Sequence, residues 1–214
     1  MAMFKEVADI KTADMLELPV PDAHFHNVAV KPSEMQKEMV ASLAERAEKV
    51  RGGGVDSSVD NLLKNTNDGR KLALDQRMLN DMLPDFEGSK INACVDNIYR
   101  IWEETADKKS AQLVFCDLST PKNDGTFSVY NDIRKKLIER GVPESEVRFI
   151  HEADTDVKKK ELFQKTRKGE VRVLLGSTQK MGAGTNVQDR LIALHDVDCP
   201  WRPSDLEQRS GRII

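Results

Sequence analysis

Residue types that suit phosphate chemistry occur in two short segments near the end of the 214-residue chain. The first follows an apolar run and reads Gly182-Ala183-Gly184-Thr185-Asn186. The second places Gln208 and Arg212 four positions apart in a predicted helix. Glycine lets backbone N–H groups approach an anion, and a guanidinium group neutralises the anion's charge. These residues predict contact with a phosphate, either of a nucleotide or of a nucleic-acid backbone.

The glycine segment is also typical of a structural feature with no ligand. A Gly-x-Gly pair relieves steric strain wherever a strand turns tightly into a helix. The segment is not a P-loop, because no Lys-Ser or Lys-Thr pair follows Gly184. On its own, therefore, the segment favours a tight connection over a binding loop.

The helix with Gln208 and Arg212 has the same two interpretations. Ser204 is predicted to cap it, which would place Gln208 and Arg212 on one face. Gly211 costs about 1 kcal/mol relative to alanine inside a helix, which suggests a close approach to the backbone. The alternative is a solvated polar helix with Arg209 exposed on its surface.

Four short apolar runs alternate with predicted helices and are interpreted as strands. Unbroken apolar strands that alternate with helices indicate a parallel sheet covered on both faces. Ligands of such sheets bind at the carboxyl ends of the strands, where the glycine segment and the residues after Val197 lie. The runs are residues 113–116, 147–150, 171–175 and 191–197.

Several other polar features are interpreted as structural. His151-Glu152-Ala153-Asp154 follows a strand as an acidic Mg²⁺ box would, but its residue order differs, so a polar loop is favoured. His24 and His26 have no partner acid or thiol nearby and are taken as surface or satisfied histidines. Lys158–Lys160 is taken as a solvated helix face, with DNA contact as the lesser alternative. Trp201 is interpreted as a core anchor, with base stacking as the alternative.

The chain divides into two parts of different character. Residues 1–84 are polar and mostly helical, with too little apolar material to fold alone, whereas residues 85–214 carry the strand–helix pattern. In the first part, a capping box at Ser33 predicts a helix that ends at Gly52-Gly53-Gly54. Residues 65–69, Asn-Thr-Asn-Asp-Gly, predict a turn.

Bulk composition excludes some classes of protein. The 33 basic and 36 acidic residues nearly cancel, which argues against a small dedicated DNA-binding module but not against a local basic groove. Cys94, Cys116 and Cys199 have no metal-ligand spacing, and the first two are expected to be core residues in a reducing compartment. No apolar run reaches the roughly 18 residues of a membrane span and no signal peptide is recognised, so a cytoplasmic protein is expected.

Taken in order, these segments resemble the second RecA-like lobe of superfamily-two helicases, and more narrowly of Swi/Snf-type DNA translocases. The resemblance spans nearly the whole chain and extends to large bacterial helicases fused to adenine-specific DNA methylase domains. Its segments are the motif-four strand (112–117), motif five (174–186), a Trp-x-Pro segment (198–203), the start of motif six (208–212) and the inter-lobe helix starts (32–36 and 88–90).

The resemblance implies a nucleotide site shared between two lobes. In that family ATP lies between the lobes, and the first lobe, which carries the P-loop and the acidic Mg²⁺ box, is not in this chain. Arg212 would be an arginine finger that stabilises charge on the transferred phosphoryl group, and Gln208 a nucleotide-site partner. ATP and Mg²⁺ are therefore expected in the intact two-lobe protein and not on this chain alone.

The resemblance also implies a nucleic-acid track. In that family, the residues that correspond to Gly182, Gly184 and Asn186 would couple the nucleotide cleft to DNA. Contacts to DNA phosphates, without reading of base sequence, would fall to Ser177, Thr178 and Lys180. Lys180 departs from the small residue usual at its position. The expected partners are the first lobe of the same polypeptide, the DNA backbone and a fused methylase domain, with no membrane.

The sequence thus predicts an α/β fold: a RecA-like parallel sheet flanked by helices, with a mostly helical N-terminal extension. The leading hypothesis is a motor lobe, inactive alone, whose motif six the chain contains in part. A non-catalytic nucleic-acid-binding or docking domain that kept the lobe fold is the alternative. A free-standing nucleotide-binding α/β enzyme is a third possibility.

Overall fold

The computed structural model describes Met15 and residues 21–121, 124–181 and 186–213. Helix α1, Glu34–Arg51, begins at Ser33, whose hydroxyl accepts the Gln36 backbone N–H while the Gln36 side chain accepts the Ser33 N–H. This reciprocal pair is the predicted capping box. The helix ends at Gly52, and Gly53 follows with a φ of 73°, as the glycine run predicts.

Helix α2, Leu62–Leu74, packs against α1 as the second helix of a helical hairpin. It includes residues 65–69, where the sequence predicts a turn. The turn prediction is wrong because the polar side chains serve the two helices. Asn61 caps α2 by accepting the Lys64 backbone N–H, and the Asn65 amide donates to the Leu43 carbonyl of α1. Asp68 accepts from Arg46 of α1 at 2.8 Å.

The described residues of the second part form one four-stranded parallel sheet with strand order β2-β3-β1-β4. Helices lie on both faces, so the predicted RecA-like α/β architecture with a helical N-terminal region is confirmed. The strands are β1 (Ala111–Phe115), β2 (Val147–Phe149), β3 (Val173–Gly176) and β4 (Leu191–Asp196). The further helices are α3 (Lys90–Glu104), α4 (Val129–Glu139), α5 (Asp156–Lys168), α6 (Thr178–Met181) and α7 (Pro203–Ser210).

The core has two layers because successive side chains of a strand point to opposite faces of the sheet. Val114 of β1 packs with Ile98 of α3 and with α4, whereas Leu113 and Phe115 pack with Phe163 of α5. Cys116 lies in the first layer and Cys94 packs against it, so both are core residues as expected.

The helical extension is fastened to the sheet domain by buried polar and apolar contacts. Leu74 belongs to the same core layer as α3 and α4. Arg77 is buried between Asp75, at 2.8 Å, and Asp132 of α4, at 2.9 Å. Lys136 of α4 pairs with Asp85 at 2.7 Å. The division at residue 84 stays a prediction, and Leu74 shows that the core of the second part draws on the first.

Candidate functional site

Polar residues collect at the carboxyl edge of the sheet, where β3, β1 and β4 end side by side. Asp117 lies two residues after β1, Thr178 two residues after β3, and Asp198 two residues after β4, which itself ends in Asp196. Parallel strands bring these ends to one edge, so residues far apart in sequence become neighbours. This is the edge at which a ligand is expected in such a fold.

Arg209 of α7 joins the three strand ends. Its side chain is 0 % exposed and makes five hydrogen bonds, which equals the number of N–H groups on a guanidinium. The Nε atom donates to Thr178 Oγ1 at 2.8 Å. One Nη atom donates to Asp196 Oδ1 at 2.8 Å and to the Asp198 carbonyl at 3.0 Å. The other donates to Asp117 Oδ2 at 2.8 Å and to Asp198 Oδ1 at 3.3 Å.

The partners of Arg209 are also bonded to one another. Asp198 Oδ2 accepts the backbone N–H groups of Asp117, at 2.6 Å, and Leu118, at 2.7 Å. Asp117 Oδ1 accepts the backbone N–H of Thr178 at 2.7 Å, and Asp117 Oδ2 accepts its hydroxyl at 2.8 Å. The Thr178 hydroxyl therefore donates to Asp117 and accepts from Arg209. Asp117, Asp198 and Thr178 are thus each held by a second contact besides the one to Arg209.

The electrostatics of this network keep Arg209 charged. Burial alone would lower the pKa of Arg209, but the hydrogen bond to Asp196 and the charges of Asp117, Asp196 and Asp198 outweigh it and raise the pKa. The guanidinium also lies 5.1 Å from the centre of the Phe115 ring. One cation among three carboxylates leaves the network with a net negative charge.

The three residues predicted to contact nucleic acid differ in accessibility. Ser177 and Thr178 are 7 % and 9 % exposed, whereas Lys180 of α6 is exposed to solvent. The hydroxyl and backbone N–H of Thr178 are both used within the network described above. Their contact with DNA stays a prediction.

The residues predicted to contact the nucleotide lie on and just after α7. Gln208 is exposed, and Arg212 is half-buried in the turn that follows the helix. The regular helix ends at Ser210, and the Arg212 N–H donates to the Arg209 carbonyl at 3.1 Å. Asn186 is exposed, and its carbonyl accepts from Arg167 at 2.6 Å. Gly182 and Gly184 lie outside the described residues.

Sequence reasoning missed the centre of this network. The alternative interpretation of this helix, as a solvated polar helix, exposes Arg209, whereas the side chain is fully buried. Asp117, Asp196 and Asp198 were not singled out as functional residues either. Asp117 follows one apolar strand, and Asp196 and Asp198 lie at the end of another. These positions were the available indication, because a buried carboxylate such as Asp198 needs a cation.

The start of α7 also differs from the prediction. The helix begins at Pro203, and its N-cap is Arg202, which provides no side-chain cap. Ser204 therefore lies inside the helix, because a proline at the first helical position already fixes the helical φ. Trp201, predicted as a core anchor, is 64 % exposed, with the Arg70 guanidinium 4.4 Å from its ring centre.

The remaining polar features behave as structural groups. Glu152 accepts from Arg134 and Arg148, each at 2.7 Å. Burial alone would raise the pKa of Glu152, but these two hydrogen bonds outweigh it and lower the pKa. Within the part of the chain that the structure describes, no group of three or more His, Cys, Asp or Glu side chains is arranged to hold a metal ion. Among the described helices, none combines the length and apolar character needed to cross a bilayer.

Open parallel α/β sheets bind their ligands at the carboxyl ends of the strands, which is where the polar network of this domain lies. Residues 89–214 match the family model of the helicase conserved C-terminal domain. The match covers more than half of the chain, so the chain belongs to the helicase conserved C-terminal domain family.

The helicase domain of Hef from Pyrococcus furiosus is among the solved structures that match the chain. The sequences are 15 % identical, and the TM-score is 0.41. The match covers 83 % of this chain but only 32 % of the solved Hef helicase-domain chain, so this chain spans about a third of the length of that solved chain. No curated protein matches the chain.

Proposed function

We propose that this chain is the second motor lobe of an ATP-dependent DNA helicase or translocase. Membership of the helicase C-terminal family supports a motor lobe. The observation that carries the proposal is the position of α7. Its buried Arg209 holds the segment with Gln208 and Arg212 against the carboxyl edge of the sheet, where a phosphorylated ligand is expected.

In this proposal ATP binds between this lobe and the first lobe of the same polypeptide. Arg212 acts as an arginine finger, which stabilises the charge that develops on the transferred phosphoryl group. Gln208, exposed one turn earlier, contacts the nucleotide. Mg²⁺, when bound with ATP, neutralises charge on the phosphate oxygens. Asp117, Asp196 and Asp198 already hold Arg209, so the Mg²⁺ ligands are assigned to the first lobe.

The nucleic-acid contacts in this proposal are made to the phosphate backbone. Lys180 is exposed on α6 and supplies a cation, with Ser177 and Thr178 beside it. Such contacts position the protein on DNA without reading base sequence. Coupling between DNA and nucleotide is assigned to the motif-five loop, which contains Gly182, Gly184 and Asn186.

The narrower assignments rest on sequence resemblance. The Trp-x-Pro segment, residues 198–203, supports the Swi/Snf type. The resemblance to large bacterial helicases supports a methylase domain fused in the same polypeptide as a further partner. Because this lobe offers only half of a nucleotide site, the chain alone is expected to be inactive.

The test compares ATP turnover of the two-lobe protein with and without duplex DNA. Arg212→Ala is expected to reduce DNA-stimulated kcat by about 10³-fold or more, the usual contribution of an arginine finger. The matched control is Arg140→Ala, which removes an arginine that pairs with Asp96 near the far end of α4. If Arg212→Ala keeps the wild-type ATP turnover, Arg212 is not an arginine finger. DNA binding without any turnover in the wild type would favour the non-catalytic docking domain.

A further inference from the structure

The position of α7 on the lobe depends on one charged side chain. Of the eight residues of α7, all of which the structure describes, Arg209 is the one that is buried. A surface helix of a globular protein is usually held by an apolar stripe. Here the buried contact consists of hydrogen bonds and ion pairs, whose strength depends on geometry. The orientation of α7 is therefore set by where the partners of Arg209 lie.

Helix α6 depends on the same group of residues. It has four residues, Thr178–Met181, and a helix of one turn has no stability of its own. Met181 packs into the core against Gly176, and a Cβ at Gly176 would lie 2.5 Å from the Met181 side chain. At the other end, Asp117 holds the backbone N–H and the hydroxyl of Thr178.

Arg209, Asp117 and Thr178 form a closed triangle of hydrogen bonds. Arg209 Nη2 to Asp117 Oδ2, Arg209 Nε to Thr178 Oγ1, and Thr178 Oγ1 to Asp117 Oδ2 are each 2.8 Å. A shift of α6 that lengthens one side strains the other two, because buried polar networks reinforce their members. The triangle thus joins α6, which carries Lys180, to α7, which carries Gln208.

We propose that Arg209 is a positioning residue that transmits displacement of α6 to α7 through Asp117 and Thr178. The inference rests on the proposed function, because it links the predicted DNA contact at Lys180 to the predicted nucleotide contacts at Gln208 and Arg212. Arg209 touches neither ligand in this scheme. Its planar fork with five donors is essential, so lysine, which has the charge but not the fork, does not replace it.

The first experiment measures hydrogen exchange of the chain itself and needs no activity. Thr178→Val keeps the shape of the side chain and removes the hydroxyl. It is expected to speed exchange in residues 203–210 by about tenfold, since hydrogen bonds to charged groups are strong. Thr178 is 31 positions from Arg209 in the sequence, so the change in α7 would act through their direct contact of 2.8 Å.

The matched control is Thr166→Val. Thr166 is also a buried threonine, but its hydroxyl donates to Leu162 within its own helix, α5. Exchange in residues 203–210 is expected to stay at the wild-type rate in this variant. If Thr178→Val leaves exchange in α7 at the wild-type rate, or if Thr166→Val speeds it equally, the connection between the two helices is overturned.

The second experiment uses the two-lobe protein and the ratio of DNA-stimulated to basal ATP turnover. Asp117→Asn and Arg209→Lys are expected to lower this ratio by about tenfold at saturating ATP, with a smaller change in KM. A merely structural role would lower the melting temperature and leave the ratio of the folded enzyme unchanged, and that result would overturn the positioning role. If the wild-type two-lobe protein shows no ATP turnover, the proposed function is refuted instead. The hydrogen-exchange experiment then still tests whether α6 and α7 are connected through Arg209.

Discussion

Arg209 and Asp117, 92 positions apart in the sequence, meet through a contact of 2.8 Å between Nη2 and Oδ2. The contact joins α7 to the end of β1, which is one of the two inner strands and pairs with both β3 and β4. Arg209 is fully buried, so the contact cannot be exchanged for water without moving the helix.

Removing the guanidinium should destabilise the lobe. Arg209→Met leaves Asp198, which is buried, and the partly exposed Asp117 and Asp196 without their cation. The free energy of unfolding is expected to fall by about 3 kcal/mol, as for other buried pairs that lose one partner. Urea unfolding measures the change. Arg100→Met, which removes an exposed pair with Glu104, should cost less than about 1 kcal/mol. Equal losses in the two variants would contradict the assignment.

The attachment of the helical extension should depend on Arg77. Arg77→Met removes the cation that pairs with Asp75 and Asp132 and stacks 4.2 Å from the Phe127 ring centre. A loss of about 3 kcal/mol is expected, together with faster proteolysis between α2 and α3. Arg51→Met, which removes an exposed pair with Glu48, is the control. Unchanged proteolysis in Arg77→Met would show that the extension stays attached without Arg77.

The free energy of unfolding should decrease as the pH is lowered, because His195 is buried as a neutral side chain. Its Nε2 lies 2.9 Å from Gln112 Oε1, and burial together with the charge of Arg100 lowers its pKa from 6.5 to about 4. The folded state therefore keeps His195 neutral, while the unfolded chain gains a proton below pH 6.5. Stability is complete above that pH and is lost as the pH falls towards 4.

Between pH 7 and pH 5 this histidine accounts for a loss of at most about 2 kcal/mol in the free energy of unfolding. In His195→Gln, the loss of unfolding free energy between pH 7 and pH 5 should be smaller by that amount, as measured by urea unfolding at each pH. His26→Gln, which changes an exposed histidine, should keep the wild-type dependence. The same slope in wild type and His195→Gln would refute the prediction.

The proposed DNA contact at Lys180 predicts a change in salt dependence. Lys180→Ala should weaken binding of duplex DNA by the two-lobe protein equally for all sequences and reduce the salt slope by about 1. Fluorescence anisotropy at several salt concentrations gives both quantities. Lys158→Ala, an exposed lysine on α5 paired with Asp154, should leave the slope unchanged. An unaltered slope in Lys180→Ala would remove this residue from the DNA contact.

The parts of the fold that depend on local sequence were predicted well. The apolar runs became β1 to β4, with boundaries shifted by one or two residues. Ser33 caps α1 as expected, and α3 begins after Ser89, within the predicted helix start at residues 88–90. Gly169 ends α5 with a φ of 76°, as a helix-terminating glycine should. These features are decided within one turn or one strand, so the sequence contains the needed information.

The parts that failed depend on distant residues. The burial of Arg209 follows from the meeting of three strand ends, which the local pattern of α7 does not contain. Asn65 and Asp68 have turn-forming side chains, but α1 offers them a carbonyl and an arginine, and tertiary contacts override the local preference. Trp201 is large and apolar, yet its loop leaves it outside the core beside Arg70.

The position of Leu74 has a practical consequence for dividing this protein into parts. A recombinant fragment that starts at residue 85, where the strand–helix pattern begins, would omit Leu74 and leave a hole beside α3 and α4. It would also omit Arg77 and leave the Asp132 carboxylate without its buried guanidinium. A fragment that keeps both contacts must therefore start upstream of Leu74. The match to the family model begins at residue 89 and so leaves out Leu74 and Arg77, which pack against the sheet domain.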